Sequence, residues 1–524
     1  MTTTERKLPV GIQSFAEIRN RGYLYVDKTD IVWHIANKDR KFNYLSRPRR
    51  FGKSVLIDTL QAYFEGQRDL FAGLKIMALE HDWVEHPVIR LDMSGAGATP
   101  ESVRSYLSYT FRNYEEKYGS DATAEDSLAV RFKAIIHAAY NKCGQQVVIL
   151  IDEYDAPLQH SWHTPDHEAC TTIYREVFAI LKMADAMERF VFITGITKFT
   201  QISLFSVLNN LSNISFDPQY AAICGISHQE MLDCMMPEIK EMAAFNGWAV
   251  DETIARLKDY YDGYHFSRRN MVDIYNPFSL ISALDSRELR SYWASSGATS
   301  LLPKFVSDIE IHLDDFDSCS VLSTVLESSD VTGGGPELFL YQSGYLTIKS
   351  YDEYGYNLGI PNEEVRQSLN AMVLPALTLR KQGESQSAQV FLYRQLGTGQ
   401  LDKAKETLRS LIADVPYSNR KLASMGMEER YRLVISTIFN AIGMRVEVER
   451  MLATGRIDLV AWTPHYIYVM ELKLSNNGGM TAAEKQIKAC GYMEPFKGDG
   501  RKVVGLAVEL DDLGKGLIDW KVVE

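Results

Sequence analysis

The chain has 524 residues, and at ~150 residues per domain this length suggests roughly three to four domains. Hydrophobic residues make up 46% and charged residues 24%, the proportions of packed globular domains, which excludes a disordered chain or a fibrous repeat. Lys plus Arg number 56 against 68 Asp plus Glu, a net charge of −12, so no global positive field draws the protein to nucleic acid or an anionic membrane.

The N-terminal run Met1-Thr-Thr-Thr-Glu-Arg-Lys7 is followed by no apolar segment of a secretory signal, so a cytoplasmic location is expected. The longest strongly apolar runs, such as Val147 to Ile151, fall far short of the ~18 residues of a membrane helix, and no membrane partner is expected. Cysteines 143, 170, 224, 234, 319 and 490 form no C-x-x-C pair and are read as buried free thiols.

The first ~285 residues alternate β-branched runs with longer helical patterns, which predicts an α/β domain with a parallel sheet and helices on both faces. Strands are predicted at Phe42 to Ser46, Val88 to Met93, Val147 to Asp152 and Phe190 to Thr194, with a fifth at Ala221 to Gly225. Helices are predicted at Pro100 to Lys117 and His167 to Met187. From Leu289 to Lys381 a helical stretch leads through a Gly333-Gly-Gly loop to a hairpin turned at Asp352-Glu-Tyr-Gly, the pattern of a winged helix. A polar, helix-rich segment follows from Gln382 to Asp414 and ends before Pro416.

Beyond it, Tyr431, Val434, Ile435, Ile438, Phe439 and Ile442 recur at steps of 3 and 4 and are followed by Gly443, a one-faced helix with a glycine stop. Strands are predicted at Arg445 to Glu449, Ile457 to Trp462 and Tyr466 to Leu474. A helix from Thr481 to Met493 and a strand from Lys502 to Glu509 complete the order αβββαβ. The expected domains are 1–288, 289–415 and 416–524.

Two constellations carry chemistry. Arg47-Pro-Arg49-Arg50-Phe51-Gly52-Lys53-Ser54 stands between a strand and a helix and matches the Walker A pattern G-x-x-x-x-G-K-S/T except that Arg47 replaces the first glycine. Gly52 lets the backbone approach phosphates, and the helix start offers amide donors. Lys53 supplies a positive charge, the Ser54 hydroxyl can reach magnesium, and Arg47, Arg49 and Arg50 add anion affinity. A G-K-S/T tripeptide alone arises by chance in roughly one such chain in four, so the context decides. That context is Val147-Val-Ile-Leu-Ile-Asp152-Glu153, an apolar strand ending in the two acids that magnesium binding and water activation require, as in Walker B.

These residues, with Leu8-Pro-Val-Gly-Ile-Gln-Ser-Phe15, Tyr25-Val-Asp-Lys28, Leu150-Ile-Asp-Glu-Tyr-Asp155 and Thr194-Gly-Ile-Thr-Lys-Phe199, make residues ~8 to 285 resemble the AAA-ATPase-like domain of bacterial P-loop proteins. The resemblance implies ATP as ligand, Asp152 as the magnesium residue and Glu153 as the residue that polarises the attacking water. It also implies a strand between the P-loop and acid strands that ends in a γ-phosphate sensor, here Thr194, with Thr197 or Lys198 as alternatives. Arg189, Arg268 and Arg269 are all open as arginine fingers. Because such sites often borrow an arginine from a neighbouring subunit, a homo-oligomer is compatible with the resemblance.

In the last domain, Gly455-Arg-Ile-Asp458 precedes Glu471-Leu-Lys473 at the end of an apolar strand. Glu471 and Lys473 project from one face, and a hairpin turned at Thr463-Pro464 brings Asp458 beside them. Two converging carboxylates repel unless a divalent metal compensates; magnesium, or manganese, would then activate water for phosphodiester attack while Lys473 steadies charge. The bland alternative is a structural ion-pair cluster. With the αβββαβ order, this segment resembles the PD-(D/E)XK restriction-endonuclease-like superfamily. The resemblance assigns catalytic roles to Asp458, Glu471 and Lys473, an auxiliary role to Gln486, and an outer acid to Glu429 or Glu428. The implied function is a magnesium-dependent ATPase coupled to a nuclease acting on DNA or RNA. The alternatives are an ATPase switch whose last domain binds without cutting, and an interaction scaffold stabilised by ATP.

Overall fold

The computed structural model describes residues 6–37, 40–198, 211–295, 319–328, 335–369, 382–413, 426–442 and 444–523. The chain divides into two compact units, Met1–Gly297 with Phe316–Asn362, and Ala298–Asp315 with Glu363–Glu524. The segment expected as a separate connector, 289–415, is thus shared between them. Its hairpin belongs to the first unit and its later helices to the second. The Gly333 turn, the Pro416 boundary and the Gly443 helix stop lie outside the described residues.

In the first unit, β1 (Phe42–Ser46), β2 (Val88–Asp92), β3 (Val147–Asp152), β4 (Glu188–Gly195) and β5 (Ser212–Asn213) form a sheet of order β2-β3-β4-β1-β5. All its pairings are parallel. Every residue of β3 is buried, as continuous apolar runs in a helix-covered parallel sheet must be. The β4 strand lies between the P-loop strand β1 and the acid strand β3, pairing Leu45 with Thr194 and Ile151 with Ile193. The fifth strand is Ser212–Asn213 and not Ala221–Gly225, which forms turns leading into β6 (Ile226–Ser227). The apolar run there is buried by packing instead of by sheet pairing: Ala221, Ile223 and Cys224 are all inside.

The β6 strand pairs with β7 (Ile274–Tyr275), and this ribbon leads helices His228–Asn246, Val250–Tyr261 and Pro277–Ser286 into a cluster around Met231, Met235, Ile239, Leu257 and Leu280. A capping box between Ser227 and Glu230 starts the first of these helices. Leu8, Leu24 and Val26 pack against the same cluster, so the N-terminal segment runs as a strap along it. Farther on, helix Gly335–Ser343 precedes the expected hairpin, β9 (Thr347–Tyr351) and β10 (Tyr356–Gly359). A strand that sequence did not reveal, β8 (Cys319–Val321), pairs on the other side of β10 and completes a wing-like antiparallel sheet.

The second unit contains helices Gln382–Gly397, Leu401–Ala413 and Met427–Ala441 and a sheet of order β11-β12-β13-β14-β15. Its strands are β11 (Arg445–Leu452), β12 (Gly455–Trp462), β13 (Tyr466–Leu474), β14 (Lys502–Leu510) and β15 (Leu517–Val523). Only β13 and β14 pair in parallel, and helix Gly479–Cys490 supplies the crossover that parallel neighbours need. Its Ala483 and Ile487 pack with Ile457, Val469 and Ala507. The αβββαβ order is present, with β15 added at the edge. No helix among the described residues is long and apolar enough to cross a membrane.

Candidate active sites

The P-loop leaves β1 and enters helix Lys53–Phe64 through Gly52, whose φ of 84° is left-handed. A Cβ there would meet nothing within 4 Å, so the need for glycine is conformational. Lys53 is buried and donates to the carbonyls of Arg47 and Pro48, each at 3.0 Å. Burial lowers its pKa, opposed by the charges of Glu153 and Asp152.

Arg47 does not line the cleft that Lys53 and Ser54 line. Its guanidinium is fully buried, donates to the carbonyls of Ser46, Ser215 and Tyr220, and lies 4.1 Å above the Phe266 ring. The residue that replaces the first glycine braces the loop through its side chain and receives Lys53 through its carbonyl. Phe51 is also an anchor, edge-on to Tyr264 and Phe266. Arg49 and Arg50 instead line a cleft of about 520 Å³ together with Gly52, Lys53, Ser54 and Glu153. Arg50 also stacks 4.8 Å from the Phe278 ring.

The same cleft is also lined by Val10, Ile12, Leu24, Val26, Ile223 and Ile281, all apolar. The lining therefore combines cationic with apolar side chains, as a molecule with a phosphate tail and a flat base requires, and the volume lies in the usual range for small-molecule sites. Sequence reasoning missed this apolar lining. The strap carries no motif chemistry, although its residues stood in the run that marked the resemblance.

Asp152 is buried at the end of β3 and accepts hydrogen bonds on Oδ1 from the Thr194 hydroxyl at 3.0 Å and from the Glu153 amide at 3.0 Å. Glu153 has a left-handed φ of 46° and lines the cleft, and burial raises its pKa against the pull of Lys53. Asp155, which sequence left without a role, accepts from the Ile196 and Thr197 amides, the Thr197 hydroxyl and Gln159, pinning the loop after Thr194. Thr197 is engaged there, while the Lys198 amide donates to Gln342 and its ammonium to the Glu327 carbonyl. Of the arginine candidates, Arg189 bonds Asn37 and Arg268 lies over the Tyr351 ring; none of the three lines the cleft.

The structure brings Asp458, Glu471 and Lys473 together. The pairing of Leu459 with Met470 places Asp458 opposite Glu471 one step farther on, after the chain turns through the Thr463–Tyr466 hydrogen bond. Lys473 Nζ lies 2.8 Å from Glu471 Oε1 and 3.9 Å from Asp458 Oδ2, and two groups this near one nitrogen are less than ~8 Å apart, close enough to share an ion. Burial, then repulsion from Asp458, raises the Glu471 pKa to about 7. Burial lowers the Lys473 pKa, but the hydrogen bond to Glu471 and the charges of Glu471, Asp458 and Glu428 together outweigh it, and the net shift is upward. Glu428 is the helix acid beside Lys473, at 3.8 Å, whereas Glu429 is exposed. Gln486 donates to the Tyr492 hydroxyl, which in turn donates to the Arg456 carbonyl. Arg432 and Glu449, which sequence did not single out, also reach this centre.

Both sites have the donors that magnesium favours. The first offers the Ser54 hydroxyl, which lines the cleft, and the buried Asp152 carboxylate at the end of β3. The second has Asp458 and Glu471, whose buried Oε2 has no hydrogen-bond partner. Among the described residues no group of three or more His, Cys, Asp or Glu is placed to hold a metal ion.

A P-loop sheet in one unit and a mixed nuclease-type sheet in the other define the class of protein. Residues 9–205 match the family described as predicted AAA-ATPase, and residues 426–520 match the PD-(D/E)XK nuclease superfamily. A protein of Azotobacter chroococcum mcd 1, described as uncharacterized and encoded in the vnfD 5′ region, is 30% identical over 536 residues, covering 99% of both chains. The chain belongs to this bacterial family, in which an AAA-ATPase-like domain precedes a PD-(D/E)XK nuclease-superfamily domain. Among solved structures, the Aeropyrum pernix ORC2 protein in ADPNP-ADP complexes gives a TM-score of 0.27 at 10% identity, covering 66% of this chain and 93% of that one. The ORC1 protein of the same organism in complex with DNA gives 0.26 at 13%, covering 66% and 92%.

Proposed function

We propose that the protein binds ATP with magnesium in the cleft of the first unit, hydrolyses it, and uses that cycle to control a metal-dependent phosphodiesterase in the second unit acting on DNA or RNA. One observation carries the reading: Lys53, Ser54 and Glu153 line a single cleft together with a set of apolar side chains. The base packs on apolar lining such as Val10, Ile12 and Ile281, and Arg49, Arg50 and Lys53 take the phosphates. Lys53 leaves the Arg47 and Pro48 carbonyls to do so, exchanging dipoles for full negative charge. Ser54 and Asp152 would hold magnesium, which neutralises developing charge on the phosphates. Glu153 orients water, and Thr194 fixes the Asp152 carboxylate.

In the second unit Asp458 and Glu471 would hold the metal that activates water, and Lys473 steadies the negative charge formed on the phosphate. The test uses the full-length protein with single- and double-stranded DNA and RNA, magnesium or manganese, with and without ATP. Lys53→Ala should lose nucleotide binding, Glu153→Gln should retain ATP without releasing phosphate, and Asp458→Ala should lose cutting. Unchanged turnover in the first two variants would overturn the ATPase site, and unchanged cutting in the third would overturn the nuclease site.

A further inference from the structure

We propose that Arg432 is an internal counter-ion that holds the acidic centre closed to a divalent cation, and that Glu449 is the residue that draws it aside; this rests on reading Asp458 and Glu471 as a metal site. The oxygens of the two carboxylates are unequally committed. Asp458 Oδ2 accepts the Leu472 amide at 2.8 Å, and Glu471 Oε1 accepts Lys473. That leaves Asp458 Oδ1 and the orphaned, buried Glu471 Oε2 as the donors for an ion. Arg432 covers the first of these, with Nη1 3.7 Å from Asp458 Oδ1.

Arg432 sits one turn after Glu428 on helix Met427–Ala441, so both reach the same centre. Its side chain is 13% exposed and that of Asp458 is 6%, so solvent screens their attraction weakly. A guanidinium held at that distance repels an arriving cation and occupies part of its path. The contact is nevertheless long, because Nη2 is held at 2.8 Å by Glu449 Oε1.

Glu449 is placed for this. The pairs Val448 with Leu459 and Arg450 with Ile457 flank it, which puts it directly opposite Asp458. Its φ is 52°, a left-handed backbone that a glutamate adopts at a cost of about 1 kcal/mol or more. The strained residue on β11 is therefore the one whose carboxylate meets Arg432. Glu449 also takes Arg456 at 3.0 Å, so its charge stays paired when Arg432 moves. The resting centre is a row of acids across β11, β12 and β13 with Arg432 shared between the first two.

The measurement is Mn²⁺ uptake by the full-length protein without nucleotide, followed by calorimetry and by the electron paramagnetic resonance of free Mn²⁺. Asp458→Asn serves as the blank for this site. Arg432→Met, which keeps the apolar stem, should bind Mn²⁺ about tenfold more tightly, and Arg432→Lys should stay near the unmutated protein. Glu449→Gln should weaken uptake because Arg432 then settles on Asp458, and the double variant should return to the affinity of Arg432→Met. Thermal melting in chelator confirms that each variant is folded. If Arg432→Met is folded but binds no more tightly while the unmutated protein binds, the counter-ion role is wrong and the metal site stands. If neither binds above the Asp458→Asn blank, both fail.

Discussion

The Thr194 hydroxyl donates to Asp152 Oδ1 at 3.0 Å, tying the strand between the P-loop and the acids to the residue that would hold magnesium. Thr194→Val keeps the shape and removes the donor. Loss of an outer-shell partner of this kind slows reactions on the order of 10- to 100-fold, so ATP should still bind while phosphate release drops by that amount. Equal loss of binding and turnover would mean that Thr194 only supports the fold.

Gly195 has no room for a side chain. A Cβ built there meets Asp155 Oδ1 at 2.5 Å and the Tyr154 ring at 2.7 Å. Gly195→Ala should therefore destabilise the first unit by ~1–3 kcal/mol, read as a lower urea midpoint, because Asp155 is fixed by the amides it caps and cannot retreat.

Glu188, at the start of β4, is buried with both oxygens lacking a hydrogen-bond partner, and burial pushes its pKa to about 8 against the pull of Lys41. A folded-state pKa above the unfolded value gives a stability term that is complete below the unfolded pKa of ~4.3 and is lost as pH rises through about 8. Glu188→Gln should match the unmutated protein near pH 5 and exceed it at pH 9 by a few kcal/mol in urea unfolding. Parallel stability curves across that range would disprove an ionising Glu188.

Lys473 is bonded to Glu471 and lies close to Asp458, so Lys473→Ala leaves two buried carboxylates without their shared ammonium. Breaking a buried pair costs ~3–5 kcal/mol, so the metal-free variant should melt well below the parent. Mn²⁺ should restore much of that loss while cutting stays absent, since the ion replaces the charge and not the ammonium donor. A variant that Mn²⁺ leaves equally unstable would show that Asp458 and Glu471 share no ion.

The elements that position both sites were legible because they are local. The apolar runs of β1, β3 and β13, the glycine at a left-handed helix start, and the two-residue step from Glu471 to Lys473 each follow from neighbours in sequence. The β15 strand was not legible, because only Leu517, Trp520 and Val523 of it are buried, a spacing of 3 that hides a strand's alternation. The β8 strand consists of three residues and is defined only by its partner β10.

Tertiary structure alone decided what each charge does. Arg47 looked like a phosphate ligand until Ser215 and Tyr220, far along the chain, supplied the carbonyls that hold it. The choice between Glu428 and Glu429 turned on which side of one helix faced Lys473. Arg432 and Glu449 gained a role only when three strands and a helix brought them to Asp458. Residue type and near-neighbour spacing set backbone preference and which faces are apolar. A charge takes its function from partners that chain folding brings near, and burial strengthens those interactions.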